Sequence, residues 1–131
     1  MSEQNIEVVR EVIAAYSGTG EVRDDLIDPE IEIWESPELP GELAGHGHEA
    51  LSRATQTVSD SFENWSIVPE RFFDLEEREL VYVTFRGTGK GSGLPADGQL
   101  AYLFGLRDGK VIEWGLFGDR AIARKAAGLE D

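Results

Sequence analysis

The dipeptide Asp108-Gly109 is the feature that most constrains the fold, because it separates two runs of alternating apolar residues. Asp-Gly is typical of a two-residue hairpin loop, since both central positions of a type I′ turn need a positive φ angle. The flanking segments, 99–107 and 110–117, are therefore predicted to be antiparallel neighbours in a sheet. Such a loop also predicts their register. It pairs Leu103 with Trp114 on one face of the sheet.

Both faces of this predicted hairpin are apolar. Leu103 and Trp114 share one face, and Tyr102 and Phe104 lie on the other. A sheet that is apolar on both sides has to be covered on both sides. The sequence predicts too few helices to cover both faces of the sheet within one chain. We therefore expect a homodimer in which a second copy covers the outer sheet face.

The rest of the chain has helical spacing in its first half and alternating spacing in its second half. It has no internal repeat or linker, which indicates a single domain over residues 1–131. Asp119 is placed to cap a final helix with Ile122, Ala126 and Leu129 on its inner side. The other predicted elements are helices over about 4–16, 21–27 and 45–64, a short strand at 31–34, and strands over 65–75, 80–90, 99–107 and 110–117.

Composition excludes several classes of function. Twelve basic and 26 acidic residues give a net charge of −14, which would repel the phosphates of a nucleic acid. No segment has the roughly 18 consecutive apolar residues of a membrane span. The absence of cysteine excludes thiolate nucleophiles and Cys-based zinc sites. The first residues lack a basic stretch followed by an apolar one, so the cytoplasm is the expected location.

Short motifs along nearly the whole chain resemble the nuclear transport factor 2-like superfamily, in its SnoaL-like, polyketide cyclase-like branch. Their order and spacing carry the resemblance more than any one of them. The motifs are IEVVREVIAAY, DPEIEIWESPELPG, GHGHEAL, FRGTGKGSG, LRDGKVIEW and FGDRAIARKAAGL.

The resemblance implies an α+β fold in which a cone-shaped, curved antiparallel sheet wraps around three N-terminal helices, with a short C-terminal helix. It also implies a pocket for a small apolar molecule, with no metal and no organic cofactor. The expected function is cyclase-like or isomerase-like acid–base chemistry on an apolar or polycyclic substrate. The alternative is a non-catalytic ligand-binding or dimerisation module, because one fold can host both.

The ketosteroid isomerases of this superfamily use a carboxylate base and two groups that hold an enolate oxygen. At the position of the base, this sequence has Ser36 before Pro37. The oxyanion Asp would fall near Leu103, and Tyr16 lies about one helical turn after the position of the oxyanion Tyr. These three departures argue against steroid isomerase chemistry.

Three residues are the catalytic candidates: Glu35, His46 and Asp119. Glu35 is the carboxylate nearest to the base position. Alternation favours a direction toward solvent for its side chain, with the pocket as the alternative. His46 is a candidate because a histidine side chain can take up and release a proton near neutral pH, with a structural histidine in a loop as the commoner outcome. Asp119 lies near the pocket mouth in the family's layout, although helix capping also explains it. His46 and His48, with Glu49 beside them, lack a convincing third ligand for a metal ion at the usual spacing.

Large apolar side chains are the candidates for the wall of the pocket, with core packing as the alternative for each. A third functional option is epoxide hydrolysis by Asp97, Arg86 and Asp119, which requires Arg86 to point inward. The predicted substrate-binding residues are Tyr16, Trp34, Val58, Phe62, Trp65, Phe85, Leu103, Trp114 and Leu116.

Overall fold

A computed structural model describes residues 2–129 of the chain. It consists of one mixed six-stranded sheet with helices on both of its sides. The helices are α1 (Ser2–Tyr16), α2 (Gly47–Ser61) and α3 (Arg120–Ala126), and the strands are β1 (Ile27–Glu35), β2 (Gly45–His46), β3 (Phe62–Asp74), β4 (Arg78–Gly89), β5 (Gly98–Arg107) and β6 (Lys110–Phe117).

The strand order is β2-β1-β6-β5-β4-β3. Strands β3 to β6 form successive antiparallel hairpins, as the alternating pattern predicts. Strand β1 pairs with β6 in parallel, so the sheet is mixed. The predicted α+β fold class, a curved sheet with helices before it and a short helix after it, is confirmed.

Helices α1 and α2 cover the inner face of the sheet. The apolar stripe of α1, including Val9 and Ile13, packs with Ile31 of β1 and Phe104 of β5 in one buried cluster. These side chains are almost fully removed from water, which makes this cluster the main source of hydrophobic stabilisation. None of the helices within residues 2–129 has the length and apolar character needed to cross a bilayer.

The outer face carries a second buried cluster, in which Ala123 of α3 packs with Leu103 and Phe117. Helix α3 supplies part of the cover that was predicted to come from a second copy of the chain. The dimer itself stays a prediction.

Helix α3 is rotated from its predicted orientation. Ile122, predicted to face inward, is 43% exposed, and Ala126 is also exposed. Ala123 takes the buried position instead, and Leu129 packs against the same cluster as predicted. Arg120 fixes this rotation, because its guanidinium donates to the carbonyl oxygens of Val83 (2.8 Å) and Leu100 (3.2 Å).

The β5–β6 hairpin has the predicted turn but not the predicted register. Arg107 pairs with Lys110, and a bulge at Ile112 then shifts every later pair by one residue. Leu103 therefore pairs with Gly115, and Trp114 pairs with Phe104. One extra residue in one strand of a pair moves the following side chains to the other face. The prediction that Leu103 shares a face with Trp114 was wrong for this reason.

The predicted second helix, residues 21–27, is also wrong. Only Asp24–Leu26 forms a turn of 3-10 helix, and β1 already starts at Ile27. Ile27, predicted as the end of that helix, instead pairs with Val111 of β6 and is buried. The predicted stop at Pro29 instead lies within β1, where the pairing with β6 is irregular between Ile27 and Glu32.

Candidate functional site

A cavity of about 220 Å³ lies between the two N-terminal helices and the inner face of the sheet. Helix α1 contributes Tyr16, α2 contributes one wall that includes Leu51 and Val58, the loop after β1 contributes Leu43, and the sheet contributes the rest. The volume is below the roughly 300–1,000 Å³ of most drug-sized ligand pockets. A molecule of one or two rings is therefore the size that fits.

Aromatic side chains form much of the cavity wall. Trp114 lies between two tyrosines, with ring centroids 5.5 Å from Tyr16 and 5.4 Å from Tyr102 and interplanar angles of 80° and 88°. Phe62 and Phe85 form a second edge-to-face pair, 4.9 Å apart. The cavity therefore offers ring surfaces in several planes, which suits a flat ligand.

Tyr16 and Tyr102 bring two hydroxyl-bearing side chains to this apolar wall. Burial raises the pKa of Tyr16 above its usual value. Burial also raises the pKa of Tyr102, and the nearby Tyr16 raises it further. Both phenols therefore stay protonated at neutral pH, and each can donate a hydrogen bond to a ligand oxygen.

Glu35 is the carboxylate at the cavity. It is the last residue of β1, pairs with Leu116 of β6, and lies on the same face of its strand as the buried Ile33. Its Oε2 accepts a 2.6 Å hydrogen bond from the backbone N–H of Leu43, which also borders the cavity. This bond leaves the second oxygen of the carboxylate for other partners. The structure thus resolves the direction of Glu35, which is inward.

Ser36, which the resemblance placed at the position of the base, is buried away from the cavity. Its hydroxyl donates to the carboxylate of Glu38. Glu35 borders the cavity, whereas Ser36 does not.

Seven of the nine predicted substrate-binding residues border the cavity, and two do not. Trp65 lies one layer behind the wall, 5.0 Å from Tyr16 and 6.2 Å from Phe85 between ring centroids. Leu103 belongs to the outer cluster because of the bulge in β6. The seven are Tyr16, Trp34, Val58, Phe62, Phe85, Trp114 and Leu116.

Trp34 borders the cavity, but its indole ring packs on the outer side of the sheet. The ring lies 5.3 Å from Phe117, edge to face. Its Nε1 donates to Glu113 at 2.7 Å, and it fills the space above Gly115, where any Cβ would overlap the ring. Because Gly115 has no side chain, the indole ring of Trp34 can pack over β6 and hold β1 against it.

The other two catalytic candidates lie elsewhere. His46 is exposed on β2, where its Nε2 is 3.1 Å from Glu30 and 3.7 Å from Glu32. Asp119 caps α3, and its Oδ1 accepts from the backbone N–H groups of Ala121 and Ile122. Neither residue borders the cavity, because β2 is the edge strand and the cap points the Asp119 carboxylate into the helix end.

The set required for epoxide hydrolysis is not assembled at the cavity. Arg86 and Asp97 are both exposed, and neither borders the cavity. Arg86 follows Phe85 on β4, so it points to the face opposite the cavity. Within residues 2–129, no three His, Cys, Asp or Glu side chains are grouped closely enough to hold a metal ion.

Tyr102 and Leu43 are cavity residues that the sequence analysis missed. Tyr102 was assigned to the opposite face by the unbulged register. Gly105 was the available signal, because a glycine inside a strand often marks a bulge. A Cβ at Gly105 would lie 2.8 Å from the Glu113 carboxylate. No pattern in the sequence indicated that the loop after β1 turns back to place Leu43 against Glu35.

Comparison with solved structures finds the same fold over almost the whole chain. A candidate SnoaL-like polyketide cyclase from Jannaschia sp. CCS1 is 21% identical, with a TM-score of 0.76 over 99% of this chain and 95% of that one. A nuclear transport factor 2-like protein from Burkholderia xenovorans LB400 is 26% identical, with a TM-score of 0.74 over 97% and 98%.

TerC, co-crystallised with polyporic acid, is 18% identical, with a TM-score of 0.71 over 95% of this chain and 98% of that one. No protein-family model and no curated protein sequence matches this chain. The likeness therefore lies in the fold. The chain has the fold of nuclear transport factor 2-like proteins, with SnoaL-like proteins among its structural neighbours.

Proposed function

We propose that the chain binds a small, flat, largely apolar ring compound in this cavity and carries out acid–base chemistry on it, of an isomerase or cyclase type. One observation carries the proposal. A carboxylate, Glu35, and two protonated phenols, Tyr16 and Tyr102, border the same otherwise apolar cavity.

Proton abstraction next to a carbonyl is the reaction that these groups suit. Glu35 would take a proton from the carbon beside the carbonyl. Tyr16 and Tyr102 would donate hydrogen bonds to the carbonyl oxygen as it becomes an enolate. Returning the proton to another carbon isomerises the ligand, whereas attack of the enolate carbon on a second carbonyl closes a ring.

The structural neighbours support this proposal at the level of the fold. One is a candidate polyketide cyclase, and TerC was co-crystallised with polyporic acid. The hydrogen bond from Leu43 to Glu35 adds support from this chain itself, because a base has to be held in a fixed orientation.

The experiment that tests catalysis is deuterium exchange of the α-protons of 2-tetralone, a bicyclic ketone, followed by proton NMR in D2O. We expect the wild-type protein to accelerate exchange and Glu35→Gln to lose about 10²–10⁴-fold of that acceleration. Glutamine keeps an oxygen that can accept from Leu43, so the loop contact survives. Glu42→Gln, on the exposed loop, is the matched control and should keep the wild-type rate.

The alternative function is a binding module without catalysis. It predicts that 2-tetralone quenches the fluorescence of Trp114, while deuterium exchange of the ketone is no faster with the protein than in buffer alone. That result would refute the acid–base role and leave ligand binding. Failure of the ketone to bind at all would argue against both functions for this class of ligand.

A further inference from the structure

The charges at the cavity are unbalanced. Glu35 is ionisable and acidic, and no Lys, Arg or His is present among the described residues that border the cavity. The hydrogen bond that Glu35 accepts comes from a neutral backbone amide, which does not cancel its charge. A half-buried carboxylate without a cation favours a positively charged partner.

Aromatic side chains form much of the wall of the cavity that this carboxylate borders. Besides Trp34, whose ring packs on the outer side of the sheet, five aromatic residues line it, and the rings of Tyr16 and Tyr102 stand at 80° and 88° to that of Trp114. The electron-rich faces of aromatic rings attract ammonium groups, and proteins recognise substituted ammonium ions with aromatic cages of this kind.

The charge of the whole chain acts in the same direction. At a net charge of −14, the protein attracts cations and repels anions at long range. An anionic ligand would therefore be disfavoured during approach and again inside the cavity.

We propose that the cavity selects a hydrophobic amine, meaning a ring compound with a substituted ammonium group that is held by Glu35 and the surrounding aromatic rings. This inference rests on the proposed use of the cavity for a small molecule, and it holds whether or not a reaction follows. If an enolate forms, the ammonium group also offsets its negative charge.

Three para-substituted phenols of nearly identical shape test the inference. They carry a trimethylammonium, a tert-butyl or a sulfonate group, which are all tetrahedral and differ in charge. Titration calorimetry with each phenol measures the dissociation constant directly. We expect the trimethylammonium compound to bind roughly ten- to thirtyfold more tightly than 4-tert-butylphenol. The sulfonate should bind more weakly than both.

Two variants of equal net charge locate the source of the preference. Glu35→Gln should bring the affinities for the cationic and the tert-butyl phenols to within about threefold of each other, because only cation–π attraction remains. Glu42→Gln should keep the full preference. Thermal unfolding of each variant establishes that it is folded, and should Glu35→Gln fail to fold, the ligand series on the wild-type protein decides the matter alone.

The outcomes separate this inference from the proposed function. Equal or tighter binding of the tert-butyl or sulfonate phenol overturns the preference for amines while leaving small-molecule binding in place. If none of the three phenols binds, both the inference and the pocket function proposed above fail for ring compounds of this size.

Discussion

Glu79 places a carboxyl group inside the core, on the same face of β4 as the buried Val81 and Val83. Its side chain is 0% exposed. Burial, reinforced by the carboxylates of Asp74 and Glu76, raises the pKa of Glu79 from 4.5 to about 8. The folded chain therefore binds a proton at neutral pH that the unfolded chain releases.

Replacing Glu79 with glutamine should stabilise the protein in a pH-dependent way. A pKa raised by folding contributes stability that is fully present below about pH 4.5 and lost as the pH rises toward 8. Glu79→Gln removes this loss, so its gain in unfolding free energy should be on the order of 4 kcal/mol at pH 8 and near zero at pH 4.5. Urea unfolding at both pH values measures it.

Glu42→Gln serves as the control for the same urea titrations, because Glu42 is exposed. Its unfolding free energy should change little at either pH. A Glu79→Gln protein that is no more stable than wild type at pH 8 would contradict the burial of a protonated carboxyl group at this position.

At the scale of the elements, periodicity and turn chemistry predicted most of the sheet. Strand β6 was predicted at its observed limits, and Asp108 has the positive φ of 54° that the turn requires. The bulge at Ile112 was not predictable from alternation, because an extra residue leaves the local pattern of β6 unchanged. That single residue exchanged Leu103 for Tyr102 at the cavity.

The candidate site was predictable only in part for a related reason. Large apolar residues identify the inner face, and seven of the nine proposed wall residues do border the cavity. The direction of Glu35 depends on the pairing of β1 with β6, a contact between residues about 80 apart in the chain. Neither the pattern of β1 nor its composition contains that information.

The cap of α3 gives a prediction at this scale. Asp119→Ala removes the acceptor for two backbone N–H groups and should cost about 1 kcal/mol of unfolding free energy. Asp119→Asn keeps an acceptor oxygen and should stay close to wild type. Thermal and urea unfolding of the two variants measure this difference.

The same pair of variants also separates capping from catalysis at Asp119. An asparagine there cannot act as a base, yet we expect Asp119→Asn to retain the wild-type rate of ketone exchange. If Asp119→Asn lost much of the exchange rate without losing unfolding free energy, Asp119 would have to take part in catalysis.

At the scale of the whole molecule, the question is whether the outer face is complete in one chain. Helix α3 and Arg120 cover the region over Leu103 and Phe117. Val68 of β3 stays 48% exposed on the outer side, and Ile122 of α3 is also exposed. These residues leave apolar surface that a second copy could bury, so self-association is still expected.

Sedimentation equilibrium at micromolar concentration tests this expectation. A dimer has twice the 14.5 kDa mass of the chain, and it should be favoured by salt, because two chains of net charge −14 repel each other at low ionic strength. Val68→Asp adds a charge to the outer face and should shift the mass toward the monomer without weakening ligand binding, since Val68 does not border the cavity. A monomer at high salt would mean that α3 alone completes the outer face, and a dimer unaffected by Val68→Asp would place the interface elsewhere on the chain.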